Sequence, residues 1–262
     1  MYPTSLPATH QRLLLKIIDS FSSDQRIVGI GASGSFASDS MDKYSDLDLV
    51  IAVRQECFDE VMNDRFNLVE KIPGKVAAFT GEHVGEPRLV ISLYAPDCIH
   101  VDFKFVVLAD AAIRVDENKV LWERDGLLSS VLRSSDYQYP QPDGQWIEDR
   151  FWIWLHYGAT KIARGEYFEA TEFLSFLRTT VLSPMALRQA AMTPSGVRKL
   201  EARLPDFAQR LKDTVVPPER NRLIQAYQLS ISLYLELRQD ESIHINSEAE
   251  KLTTNYFREE LL

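Results

Sequence analysis

Asp46 and Asp48, two aspartates separated by a single leucine, follow a Gly34-Ser35 turn within the stretch IVGIGASGSFASDSMDKYSDLDLVIAV, residues 27–53. In an extended chain alternate side chains share a face, so the two carboxylates point one way while Leu47 and Leu49 point into the core. Carboxylates this close repel unless a cation lies between them. Mg²⁺ suits the task, because it accepts one or two protein carboxylates and completes its shell with water and phosphate oxygens. At the other end of the connection, Gly31 and Gly34 with the small Ala32, Ser33 and Ser35 let the backbone approach a ligand closely. A short helix starting at Ser35 would turn its free N–H groups toward a phosphate. Phosphate at the glycines and metal at the aspartates would lie on one ligand, a nucleoside triphosphate. Either piece alone is more often a plain turn or a solvated cap, whereas both at this spacing favour the ligand. No Gly-Lys-Ser or Gly-Lys-Thr occurs, which excludes a P-loop as the phosphate binder.

These residues need a sheet to hold them. The apolar runs 27–30 and 47–53 read as buried strands flanking the polar connection. Before them, Thr9 is placed to cap a helix whose Leu13, Leu14, Ile17, Ile18 and Phe21 make one apolar stripe. After them, Phe58, Val61, Met62 and Phe66 give a helix over 55–67, and Pro73-Gly74 marks a turn. Three further extended runs follow, 76–80, 89–94 and 99–107, and in the last of them Asp102 shares a face with Lys104. Residues 110–144 read as a charged, irregular stretch ending in a Pro- and Gly-containing linker over 139–144. Beyond it the pattern is helical, with segments at 145–164, 167–182, 194–204, 206–214 and 218–239 punctuated by prolines, and the tail reads as either one more short helix at 247–262 or a partly disordered stretch. The fold class expected is therefore α+β, a small mixed sheet flanked by helices in a catalytic domain at 1–143 and a helical bundle domain at 144–262. On helix 145–164, Arg150, Trp154, Tyr157 and Lys161 form a stripe of mixed aromatic and basic character, in which Lys161 could reach a phosphate and an aromatic ring could stack on an acceptor. Lys104 could likewise steady a phosphate.

Gly34, Ser35, Asp46 and Asp48 resemble the signature of the nucleotidyltransferase superfamily, the polymerase-β-like fold. The segment GSFASDSMDKYSDLDL is similar to the antibiotic-modifying branch, which reads Gly-Ser-x-Ala-x-Gly before Ser-Asp-x-Asp; Asp39 stands where that branch has its third glycine. Residues 150–187 resemble the helical half of lincosamide- and aminoglycoside-nucleotidyltransferase-like proteins. The resemblance implies a third acid on a later strand, at Asp102, so that Asp46, Asp48 and Asp102 would hold Mg²⁺ while Gly34 and Ser35 orient the triphosphate. It implies transfer of a nucleoside monophosphate, AMP from ATP, onto a hydroxyl of a small molecule, antibiotics among the candidates, with release of pyrophosphate. Asp102 or Glu166 would accept the hydroxyl proton, since this branch can draw a carboxylate from its helical domain. The helical half would then bind the acceptor. The alternatives are a nucleotide-binding regulator without turnover and a toxin-antitoxin-type enzyme that modifies a protein.

With 262 residues, 45% of them hydrophobic and 26% charged, the chain can bury a sizeable core. A formal charge of −9 argues against nucleic acid as the main partner and would welcome a cationic small molecule. The two cysteines, Cys57 and Cys98, make no disulfide framework or zinc site by themselves, which fits a reducing cytoplasm. No apolar run approaches the ~20 residues of a membrane span.

Overall fold

Helix α1 (Ala8–Ser22) buries Leu13, Leu14, Ile17 and Phe21 along one face, as its periodicity predicts. Its N-cap is Pro7, and the Thr9 hydroxyl, expected to cap, lies 3.2 Å from His10 Nδ1 instead. The apolar runs around the Gly-Ser turn become β1 (Ile27–Ala32) and β2 (Leu47–Val53), paired antiparallel, and the turn itself opens into the four-residue α2 (Gly34–Ala37). Helix α3 (Phe58–Glu70) follows, then β3 (Lys75–Gly81), β4 (Glu86–Tyr94) and β5 (Ile99–Val107). The stretch read as irregular also holds β6 (Lys119–Glu123) and α4 (Leu127–Arg133). Both elude pattern reading because they are short, and every residue of β6 is half-buried, without the clean alternation that marks a strand.

The sheet order is β3-β4-β5-β2-β1-β6. Only β2 and β5 run parallel; every other neighbouring pair is antiparallel. Residues of odd number on β2 (Leu47, Leu49, Ile51) and β5 (Val101, Phe103, Phe105) join Leu14, Ile17, Phe21, Val61 and Leu68 in one core, so α1 and α3 cover that face. On the other face Val28, Ala52, Val106 and Leu128 form a smaller cluster under α4. Helix α4 sits close against the sheet because Gly29 has no side chain: a Cβ there would come within 2.7 Å of Leu128 Cβ.

The computed structural model describes residues 2–262. The first unit ends at Tyr139, and the second is Pro140–Leu262. The second unit contains α5 (Gly144–Ala163), α6 (Tyr167–Phe176), α7 (Ser183–Gln189), α8 (Leu200–Arg203), α9 (Pro205–Lys212), α10 (Arg220–Arg238) and α11 (Ser247–Leu261). Asp143 caps α5, its carboxylate accepting from Trp146 N at 3.0 Å. Helix 167–182 departs from the expectation: after Phe176 the chain widens into a π-helical segment, Leu177–Leu182. The segment expected over 194–204 contracts to α8. Gly158 on α5 lies against Tyr227 on α10, where a Cβ would be 2.1 Å from the ring, and Phe151 stacks on Tyr234 at 3.7 Å. At the centre Glu148, 1% exposed, pairs with Arg238 at 3.1 Å and accepts from Trp152 Nε1 at 3.1 Å and from the Tyr234 hydroxyl. Burial works against its charge, but those donors and Arg238 hold its pKa below the ordinary value.

Candidate functional site

The parallel register of β2 and β5 pairs Leu47 with Val101 and Asp48 with Asp102. Neighbouring strands lie ~4.8 Å apart, and paired residues project from the same face. Since Leu47, Leu49, Val101 and Phe103 point into the core under α1 and α3, Asp48 and Asp102 emerge on the opposite face, Asp48 near the N-terminal end of β2 and Asp102 in the N-terminal half of β5. The sheet thus brings these two acids side by side. Asp102 Oδ1 lies 2.7 Å from Nε2 of His100, two residues earlier on the same face.

Next to Asp48 is the Gly-Ser turn. Ser33 N donates to the Asp48 carbonyl at 3.0 Å, which ties the turn to the strand. Gly34 has φ +60°, and a Cβ on it would come within 2.4 Å of Asp48 Oδ2. A side chain at 34 would thus meet both a left-handed backbone and a carboxylate. The Ser35 hydroxyl is buried without a hydrogen-bond partner, and so is Oδ1 of Asn118, just ahead of β6. A Cβ on Gly31 would come within 1.8 Å of that Asn118 oxygen. Buried polar atoms are nearly always paired, so two orphans flanking a glycine cradle beside a carboxylate fit a polar ligand that supplies the missing bonds. Lys119 is paired in register with Ala32, whose side chain joins the core under α1 and α3, so it lies on the face opposite Asp48.

Asp46 is half-buried and stands just before β2. The buried His10 positions it: the Ser45 carbonyl can only accept, so His10 Nε2 carries the proton and donates at 2.7 Å. Within that loop Asp42 Oδ1 accepts from Tyr44 N at 2.8 Å and Ser45 Oγ accepts from Asp42 N at 3.0 Å. Among the described residues, no group of three or more His, Cys, Asp or Glu side chains is gathered closely enough to hold a metal ion by protein ligands alone. Asp39, at the third-glycine position, keeps the backbone a glycine would supply, with φ +51°. Its carboxylate accepts from Ser5 N at 2.9 Å and Thr4 Oγ1 at 3.0 Å, and those bonds, Ser5 first, lower its pKa. Aspartate is one of the few side chains that tolerate this region, and here it clasps the loop to the start of the chain.

The remaining expected residues have local partners. Lys104 Nζ is 3.0 Å from Glu86 Oε2, and Glu86, bound first by Arg88 and then by Lys104, is held down to about 2. In the second unit Lys161 lies 2.8 Å from Glu166 and 3.1 Å from Glu169, which raise its pKa, Glu166 foremost. The aromatic stripe packs within that unit: Trp154 meets Trp146 at 5.4 Å and Phe176 at 5.0 Å, and Tyr157 meets Phe173 at 5.3 Å. His10, His100 and Asn118 went unread in the sequence. His100 alternates with Asp102 and could have been found by that period, whereas Asn118 precedes a strand that pattern reading misses.

Residues 14–84 match the nucleotidyltransferase domain family. No match is found among curated proteins. Among solved structures, an aminoglycoside 6-adenyltransferase from Bacillus subtilis aligns at 16% identity and TM-score 0.40, covering 94% of this chain and 96% of that one. A nucleotidyltransferase-like protein from Exiguobacterium sibiricum aligns at 17% identity and TM-score 0.39, covering 95% and 78%. The Elizabethkingia meningoseptica CdnE cyclic dinucleotide synthase, solved with GTP and Apcpp, aligns at 10% identity and TM-score 0.29, covering 95% and 91%. At these TM-scores the three likenesses carry no weight for substrate or mechanism. The match to the nucleotidyltransferase domain thus spans Gly34, Ser35, Asp46 and Asp48.

Proposed function

We propose that the chain transfers a nucleoside monophosphate, AMP from ATP, onto a hydroxyl of a small molecule. The acceptor oxygen attacks the α-phosphorus, the bond from that phosphorus to the β-phosphate bridging oxygen breaks, and pyrophosphate leaves. The observation that carries this reading is the in-register pair Asp48 and Asp102 beside a glycine cradle with unpartnered Ser35 and Asn118 oxygens. Asp46, Asp48 and Asp102 would hold Mg²⁺, which neutralises phosphate charge and acidifies the attacking hydroxyl when bound. Gly34 lets the backbone approach the triphosphate, and the Ser35 hydroxyl donates to a phosphate oxygen. Most of the rate enhancement then comes from positioning and electrostatics. Asp102 takes the proton of the hydroxyl; Glu166, engaged with Lys161, is the second choice. The net charge of −9 favours a cationic acceptor over a polyanion. The test is incubation of the protein with Mg²⁺ and α-labelled ATP, GTP, CTP or UTP against a panel of cationic, hydroxyl-bearing antibiotics and metabolites. Label is expected on a small molecule, with ATP the best donor. Label on a protein partner would make the chain a protein-modifying enzyme, and nucleotide binding without label transfer to any acceptor would make it a regulator.

A further inference from the structure

The second unit contains a cavity of about 680 Å³ bounded by the π-helical segment, the chain around α8, and α9 with the residues after it. Its volume lies in the range typical of small-ligand sites. Leu200, Ala208 and Leu211 give it apolar walls, and Arg178 and Lys212 bring two cations against one acid, Glu201. Arg178 stands in the first turn of the π segment, a wide-helix irregularity often found at functional sites. Its Nη1 donates to the Thr214 carbonyl at 2.8 Å and to Thr214 Oγ1 at 3.3 Å. No ion pair to Arg178 is found among the described residues; like the half-buried Arg114 and Arg124 it is held through carbonyl oxygens, and it also lines the cavity. Burial lowers the pKa of the Arg178 guanidinium, and Glu172 opposes that only from longer range. A half-buried guanidinium without a counter-charge is costly to keep, and a planar two-oxygen anion satisfies it with parallel hydrogen bonds.

We propose that this cavity binds a small amphipathic anion, its carboxylate on Arg178 and its hydrocarbon body against Leu200, Ala208 and Leu211. The proposal rests on the second unit alone and does not depend on the transfer reaction. It is tested on the full chain by calorimetric titration with decanoate, decan-1-ol and decyltrimethylammonium, three probes of one chain length and different head charge. Decanoate is expected to bind saturably at one site, at least tenfold more tightly than the alcohol, while the cation shows no saturable binding. Arg178→Gln should abolish the preference for decanoate over the alcohol. Because Arg178 also anchors Thr214, a second variant guards against misfolding: Gln209→Trp, at an exposed position lining the cavity, should block decanoate while leaving the melting temperature unchanged. Equal affinity for anion and cation, or decanoate binding unchanged in a folded Gln209→Trp variant, would overturn the assignment.

Discussion

At Gly34 the turn and the acid pair are fitted to one another. Gly34→Ala would drive a Cβ to 2.4 Å from Asp48 Oδ2 on a backbone at φ +60°. The expected cost is about 1–3 kcal/mol of stability. Activity should fall further than that loss of stability alone would cause, because the carboxylate is displaced; denaturant titration and turnover on the same variant measure the two effects. Asp48→Asn keeps the shape and removes a charge. Transfer is expected to drop by two or more orders of magnitude, with a melting temperature unchanged or raised, since one of two neighbouring carboxylates no longer repels the other. Near wild-type turnover in this variant would remove Asp48 from the chemistry.

Helix α1 does more at the level of elements than cover the sheet, since its His10 holds the Ser45 carbonyl just ahead of Asp46. His10→Ala should leave that carbonyl without its donor and open a small void, destabilising the protein by about 2–3 kcal/mol and loosening Asp46. Faster amide exchange in residues 42–46, with α3 unaffected, is the expected signature. This role was invisible in the sequence because a histidine on an amphipathic helix carries no mark of what its ring nitrogen meets. What was legible is what periodicity and turn chemistry encode: β1 through β5, α1, α3, α5, α10 and α11, and the seating of Asp48 on β2, with Asp46 standing just ahead of that strand. Asp102 is singled out by the family resemblance, alternation showing only that it shares a face with Lys104, and its pairing with Asp48 depends on a parallel register that no local pattern specifies. β6 escaped because five half-buried residues give no period, and with it went Asn118. The π segment escaped because its buried Leu177, Val181 and Leu182 fall at spacings that an α-helix shows as well.

For the whole chain, acid is the informative stress. Glu148 is depressed in the folded second unit and Glu86 in the first, whereas in the unfolded chain both return toward 4.5. Folded groups depressed in this way contribute stability that is fully present above the unfolded value and is lost as pH falls through the folded one. Stability by denaturant titration should therefore be flat from pH 7 to about 5 and decline below the ordinary glutamate pKa of 4.5. Glu148→Gln should weaken the second unit by about 3 kcal/mol at neutral pH, because it leaves Arg238 buried without its partner, and should shrink the decline on acidification. No helix among the described residues is long and apolar enough to cross a membrane. The β2–β5 pairing described above has a kinetic consequence as well. Among the described residues it is the one parallel contact in the sheet, and α3, β3 and β4 lie between its two strands in the chain. Contacts closed over such a long loop tend to form late in folding. The mutual repulsion of Asp48 and Asp102 would then be felt by the finished fold and scarcely by the transition state. In stopped-flow experiments Asp48→Asn should slow unfolding and leave the refolding rate unchanged; a refolding arm that moved instead would mean the acids meet early. On this account the acid pair shortens the lifetime of the native protein without slowing its formation.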